Sequence, residues 1–249
     1  NKMDLPLHEQ LKQRYIEILN KPEHQALLQA CTEEESKLSN IHLGFVPEGY
    51  TLATPNKILI VGRETRGWFR NEINTYNPDA VEKLMRNSRN HFTGKLPPSK
   101  RKKGFTFFNF VHKVASRSGN GGLLWANIFA VDYSKGHPAR AGNERFKQIK
   151  CLSRELLHAQ IDILKPDIIL FVSGGQGVHA RREYFPDLTP SGMDTDGIEK
   201  RFLERFYFPA PLAHIECYRS SHPSARAKKN QEALKKLVSL LPCKEKKPA

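Results

Sequence analysis

Residues 220–226, with the sequence SSHPSAR, combine side chains that can transfer a proton with side chains that can bind an anion. The imidazole of His222 can donate or withhold a proton near neutral pH, and the hydroxyls of Ser221 and Ser224 can hydrogen-bond phosphate oxygens. The segment directly follows the strand-like run HIECY, and Arg226 opens the helix predicted next. Because open α/β sheets bind ligands at the carboxyl ends of their strands, this segment predicts a polyanionic ligand and an acid–base reaction.

Three further apolar runs predict buried strands, at 57–61, 123–131 and 167–172. Polar residues lie in or directly after these runs: Arg63, Glu64, Asn127, Asp132 and Ser173. Because the carboxyl ends of parallel strands meet at one edge of a sheet, we expect the loops after all four strands to line one crevice. An acid, an amide and a histidine at such an edge form a candidate set for acid–base chemistry and ligand recognition.

Helical patterns alternate with these strands. Amphipathic spacing predicts one or two helices over 5–28 and further helices over 107–116, 146–164 and 225–241, and the sequence Asn-Pro-Asp at 77–79 marks another helix start. Alternating strands and helices indicate parallel βαβ units with right-handed crossovers. We therefore predict an α/β fold, a single three-layer domain in which helices flank a central four-stranded parallel sheet.

The predicted core domain covers residues 51–243. A helical extension at 1–50 is expected to pack on this core, and a basic tail at 244–249 follows it. The polar, turn-rich segment 186–197 is predicted to be a surface insertion.

The charge of the chain favours a polyanionic partner. Lys and Arg number 40 against 26 Asp and Glu, a net charge of +14. Such a surplus favours nucleic acid, or an acidic membrane surface, through neutralisation of phosphates; a basic surface that only aids solubility is the alternative. The basic, proline-bearing loop 95–103 is predicted to contact DNA through Lys100, Arg101, Lys102 and Lys103.

Cysteine spacing and hydropathy indicate which other classes do not apply. The four cysteines are scattered without a Cys-x-x-Cys pair, so neither a zinc ribbon nor an iron–sulfur cluster is predicted. No metal and no cofactor are expected. The sequence has no signal-peptide pattern and no long apolar run, so we expect a cytoplasmic monomer that does not associate with membranes.

Taken in order, these motifs resemble the uracil-DNA glycosylase superfamily. The matching features are a strand ending in Gly-x-acid at 62–64, Asn127 in an apolar strand, a strand followed by a small residue and glycine at 173–174, and a strand followed by His-Pro-Ser at 222–224. The segment FFNFVHK at 107–113 is also similar to that family's helix between its first two motifs. The resemblance spans about residues 57–241 and implies a uracil-DNA-glycosylase-like fold.

The resemblance implies a role for each matching residue. Glu64 occupies the position of the family's water-activating Asp, keeping the charge but reaching one methylene further. Asn127 matches the residue that reads the flipped base, and His222 matches the histidine that hydrogen-bonds the departing base. A helix-capping or salt-bridged acid is the alternative for Glu64, and a buried structural amide is the alternative for Asn127.

Other residues are assigned to DNA and base contacts. Ser173, Ser221 and Ser224 are predicted to contact phosphates. Arg226 falls where typical uracil enzymes insert a leucine into the base stack, where it could stack or bind phosphate. An exposed arginine in the first turn of a helix is an equal alternative. The aromatic residue that stacks on the base is predicted to be Phe92, with Phe107 and Phe108 as alternatives, and for each of the three core packing is the competing explanation.

One departure from the family's pattern bears on the substrate. Typical uracil enzymes continue the first motif with Pro-Tyr, and that tyrosine blocks the C5 position of the base. Here Thr65 and Arg66 stand there, so the pocket can admit bases with a C5 substituent unless Trp68 closes the same space. Arg63 and Arg66 are predicted base-binding residues that, with Arg70, suit a hydroxylated or phosphate-rich ligand, although phosphate binding alone also explains them.

The sequence therefore predicts a monofunctional DNA glycosylase that flips a pyrimidine nucleotide and leaves an abasic site. The base is either uracil or, slightly favoured, a C5-modified pyrimidine such as those of bacteriophage DNA. No lysine in the motifs suits a nucleophile, so lyase chemistry is not expected. One alternative is a non-catalytic nucleic-acid-binding module on the same fold. The other is a small-molecule enzyme that acts on nucleotides, but the sequence lacks the Gly-rich motif typical of such enzymes.

Overall fold

The computed structural model describes residues 4–69, 73–96, 106–186, 188–191 and 197–244. The chain divides into two compact units that interleave along the sequence. The first unit comprises Asn1–Val46, Arg63–Asn90 and Ala126–Lys165, and the second comprises Pro47–Gly62, His91–Trp125 and Pro166–Ala249. Among the described residues, no helix is both long and apolar enough to cross a bilayer.

A six-stranded mixed sheet forms the centre of the second unit. Its strands are β1 (Ile58–Gly62), β2 (Leu123–Asn127), β3 (Ile168–Phe171), β4 (Thr189–Ser191), β5 (Leu203–Tyr207) and β6 (Glu216–Ser220), in the order β2-β1-β3-β6-β5-β4. β1, β3 and β6 are parallel, so their carboxyl ends lie at one edge, whereas β5 and β4 continue the sheet antiparallel. The last two residues of β2 belong to the first unit.

The α/β class and all four predicted strands are confirmed, but the prediction of a four-stranded, all-parallel sheet was wrong. β5 pairs with β6, and Phe206 of β5, 1% exposed, faces the core opposite Cys217. β4 falls inside the segment predicted to be a surface insertion. Both strands were missed because neither LERFY (β5) nor TPS (β4) contains a continuous apolar run or a regular alternation of apolar and polar residues.

The described residues of the second unit form α4 (Thr106–Ser118), α6 (Gly174–Tyr184) and α7 (Lys228–Leu240). α7 contacts β5, β6 and α4. α6, which was not predicted, follows β3 directly and buries Ala180 and Tyr184. α7 begins three residues later than predicted, because the backbone N–H of Ala225 donates to the His222 carbonyl at 2.9 Å and closes a turn before the helix.

Helices α1 (Leu7–Leu19), α2 (Gln25–Cys31) and α5 (Asn143–Leu164) belong to the first unit, and α3 (Pro78–Lys95) has residues in both units. α1 packs on α5, and its buried residues Leu11, Tyr15, Ile18 and Leu19 recur at helical spacing. The start of α3 is confirmed: Asn77 Oδ1 accepts the backbone N–H of Ala80 at 2.8 Å, as an N-cap does.

The segment 38–46 of the first unit is buried although it forms no helix or strand. It runs beside the residues that follow β2, with the N–H of Ser39 donating to the Asp132 carbonyl at 3.0 Å and the N–H of His42 donating to the Ala130 carbonyl at 2.8 Å. The N-terminal region therefore contributes both helices and an ordered, buried segment.

Candidate functional site

His222 lies in a tight turn that determines which of its ring nitrogens carries the proton. Ser224 donates its backbone N–H to Nδ1 at 3.1 Å and its hydroxyl to the same atom at 2.7 Å. A backbone N–H can only donate, so Nδ1 accepts, and the neutral ring carries its proton on Nε2. His222 thereby becomes an N–H donor without a positive charge.

Two neighbours in the second unit hold the His222 ring. Phe107 of α4 stacks on it with ring centroids 6.1 Å apart and an interplanar angle of 23°. Gly174, at the start of α6, has φ +70°, and a Cβ there would lie 3.6 Å from the Cβ of His222. Glycine suits this position because its backbone is in the left-handed region, which side chains with a Cβ rarely adopt.

The three serines differ in what their hydroxyls contact. Ser173 is 3% exposed, and its hydroxyl lies 3.1 and 3.2 Å from the carbonyl oxygens of Val61 and Gly62, which holds the loop after β3 to the end of β1. The half-buried Ser221 donates to Asn230 Oδ1 at 2.8 Å. The exposed Ser224 hydrogen-bonds Nδ1 of His222. Of the three serines, Ser221 and Ser224 are therefore the two that solvent can reach.

Arg226 is exposed and precedes the first residue of α7 by two positions. It therefore stands in the turn before the helix and not in the first helical turn. Lys100, Arg101, Lys102 and Lys103, and also Arg70, lie outside the described residues.

An aromatic cluster in the second unit includes the predicted stacking residue. Phe92 is 1% exposed and stacks on Trp125 at 5.7 Å, so its ring is part of the core. His91 and Phe108 also pack on Trp125, at 5.9 and 5.6 Å. Phe107 is half-exposed beside His222, which makes it a better-placed stacking residue than Phe92.

In the first unit, Glu64 forms a bidentate ion pair with the residue before it. Nε of Arg63 donates to Oε2 at 2.5 Å and Nη2 donates to Oε1 at 2.7 Å. The Glu64 side chain is 5% exposed and that of Arg63 is 33% exposed. Arg63 thus engages two of the roughly four lone-pair positions of the carboxylate.

His137 is a neighbour of this pair that the sequence analysis missed. Burial lowers the pKa of its ring, nearby Glu64 partly opposes that shift, and Arg63 adds to it. Its Nδ1 accepts the backbone N–H of Ala139 at 2.9 Å, as His222 does from Ser224. The signal available was a second His-Pro dipeptide, at 137–138.

The loop after Glu64 is held by the buried carboxylate of Asp132. Its Oδ2 accepts from the Thr65 hydroxyl at 2.8 Å, the Gly67 N–H at 2.7 Å and the Trp68 N–H at 3.3 Å. Thr65 and Trp68 are consequently buried, at 8% and 6% exposure, whereas Arg66 between them is exposed. Asp132 is therefore an anchor of this loop.

Asn127 ends β2 and is 7% exposed. Its Nδ2 lies 3.3 Å from Nδ1 of His42 in the N-terminal segment. No described residue donates a hydrogen bond to its Oδ1. This oxygen is also not one of the fully buried polar atoms that lack a partner, so it keeps some exposure. The amide therefore has one structural contact and one accessible acceptor.

Side chains that could bind a metal ion do come together among other residues of the chain. In the described part of the chain, Glu23, His24 and Cys151 form one group with ligand atoms within 4.8 Å of one another, and His8, Glu9 and Glu82 form a second. Neither group includes a residue of the predicted site.

No protein-family model matches the chain, and a search of curated proteins finds no significant similarity. The chemistry must therefore be argued from the residues themselves. The first unit offers a paired carboxylate and an oriented amide, and the second unit offers a neutral histidine donor beside an aromatic ring.

Proposed function

We propose that this protein is a monofunctional DNA glycosylase that hydrolyses the bond between a pyrimidine base and deoxyribose. The observation that carries the proposal is the turn at 222–224, in which Ser224 leaves the proton of His222 on Nε2. An N–H donor that needs no net charge suits a departing base, because it stabilises negative charge as that charge develops.

The proposed reaction assigns one role to each residue. The bond between C1′ and the base nitrogen breaks, and its electron pair leaves with the base. His222 Nε2–H hydrogen-bonds the base oxygen on which negative charge accumulates. Glu64 orients a water and accepts its proton as the water oxygen bonds to C1′, which leaves a hydroxyl there and an abasic site. Asn127 hydrogen-bonds the edge of the flipped base.

The base is proposed to be uracil or, slightly favoured, a C5-modified pyrimidine. The first motif carries Thr65 and Arg66 where typical uracil enzymes have Pro-Tyr, which supports the preference for a C5-modified base. Arg66 is also exposed, in a loop that Asp132 holds. A guanidinium there suits hydroxyl or phosphate groups of a larger ligand.

A non-catalytic nucleic-acid-binding module is the second candidate. Glu64 is paired with Arg63, and Asn127 contacts His42, so both candidate residues have structural partners. A module that had lost catalysis would show the same contacts. Such a module binds DNA with strong salt dependence and releases no base.

A base-release assay separates the two candidates. Single- and double-stranded DNA would carry uracil, a thymine mismatch or glucosylated hydroxymethylcytosine. Glu64→Gln, Asn127→Ala and His222→Ala are expected to abolish or strongly reduce release. Glu35→Gln, Asn20→Ala and His214→Ala, which change exposed residues of the same types, serve as matched controls. Full activity of the Glu64, Asn127 and His222 triple variant refutes the site, and salt-sensitive binding without release favours the module.

A further inference from the structure

The contact between His42 and Asn127 links the N-terminal segment to the residue assigned to base recognition. Asn127 Nδ2 is only a donor, so His42 Nδ1 accepts from it at 3.3 Å. The neutral ring then carries its proton on Nε2, which donates to Ser88 Oγ at 3.1 Å. All three residues belong to the first unit and are buried, at 7% (Asn127), 3% (His42) and 0% (Ser88) exposure.

The His42 ring is also held by packing. Trp68 meets it edge to face, with ring centroids 5.2 Å apart and an interplanar angle of 80°. The backbone N–H of His42 donates to the Ala130 carbonyl, three residues beyond Asn127. Ring and amide are therefore positioned by the same stretch of chain.

An asparagine amide can present its donor and acceptor in either of two orders, related by a 180° turn of the amide. Uracil and thymine offer O4 as an acceptor and N3–H as a donor, whereas cytosine offers an N4–H donor and N3 as an acceptor. One order of the amide reads the first edge, and the reversed order reads the second.

We propose that His42, supported by Ser88, selects the class of base by holding the Asn127 amide in one order. This inference rests on the glycosylase function proposed above. Reversing the amide would place Oδ1 against the lone pair of His42 Nδ1, and relieving that clash requires a proton to move from Nε2 to Nδ1. His42 is thus a positioning residue that acts on the substrate through Asn127.

Two measurements test the proposal together. Nitrogen NMR of His42 reports which ring nitrogen is protonated, independently of activity; the expected result is a proton on Nε2 and none on Nδ1. Base release from uracil-containing and 5-hydroxymethylcytosine-containing DNA gives the selectivity, the ratio of the two kcat/KM values. His42→Leu, which offers no acceptor, is expected to move that ratio toward one by about tenfold to a hundredfold, the discrimination that a bidentate base contact provides.

His42→Gln supplies an amide acceptor and is expected to keep most of the selectivity, and Ser88→Ala to lose part of it. These two variants keep the test informative if His42→Leu fails to fold. A proton on Nδ1, or equal loss of activity on both bases with an unchanged ratio, overturns the proposal. If wild-type protein with the expected tautomer releases neither base, the glycosylase function fails, and the network is structural only.

Discussion

Removing the Nε2–H of His222 should slow base release without weakening DNA binding. The ring stacks on Phe107 at 6.1 Å, and its Nδ1 accepts from Ser224, so Nε2–H is the one N–H of the neutral ring, and it is the donor that the proposed reaction assigns to the leaving base. Loss of one preorganised donor costs about 100- to 1,000-fold in kcat, or roughly 3–4 kcal/mol. His222→Ala removes both the donor and the stacked ring, whereas His222→Phe removes the donor and keeps a ring that can stack.

The two variants should therefore lose similar amounts of kcat under single-turnover conditions. Binding to DNA with a non-cleavable nucleotide, measured by fluorescence anisotropy, should stay within about threefold of wild type, since the donor acts on charge that develops only in the transition state. His214→Ala is the matched control, because His214 is exposed and outside the turn. The reasoning is refuted if His222→Phe retains wild-type kcat, or if both variants lose binding in proportion to rate.

Three further changes test other parts of the molecule. Phe107→Ala should weaken binding of flipped-base DNA by about 1–3 kcal/mol, the cost of one lost stacking contact. Phe92→Ala should instead lower the free energy of unfolding, measured by urea denaturation, by about 3–5 kcal/mol. The reverse pattern would contradict the placement of the two rings. Arg226→Ala should reduce the slope of log binding constant against log salt by about one if the side chain binds phosphate, and an unchanged slope with slower flipping would indicate stacking instead. Burial raises the pKa of Glu155, but hydrogen bonds from Lys21 and His24 outweigh it and lower that pKa below 4.5. Its stabilising contribution is therefore present near pH 7 and lost as the pH falls through the lowered value, so Glu155→Gln should reduce stability at pH 7 and flatten its decline in acid; an unchanged acid-unfolding profile by circular dichroism would disprove this.

The regular elements with the strongest local patterns were predictable. β1 and β3 are continuous apolar runs, and α1 and α5 repeat apolar residues at helical spacing, so each pattern needs only neighbours in sequence. β4 and β5 were missed because their short sequences have weak local patterns, and they become strands by pairing: β5 with β6, and β4 with β5.

The candidate site residues also divide into features that a local sequence pattern predicts and contacts that it does not. The His-Pro-Ser turn is a local structure, and the sequence by itself determined that a histidine, a proline turn and two serines follow the last parallel strand. The local turn also decided which ring nitrogen of His222 is a donor, through Ser224 two residues later. Tertiary structure decided that Phe107 and not Phe92 lies against His222, and that Asn127 meets a histidine 85 residues earlier in the chain. These contacts join residues far apart in sequence, and they depend on how buried side chains pack and pair, which no local pattern specifies.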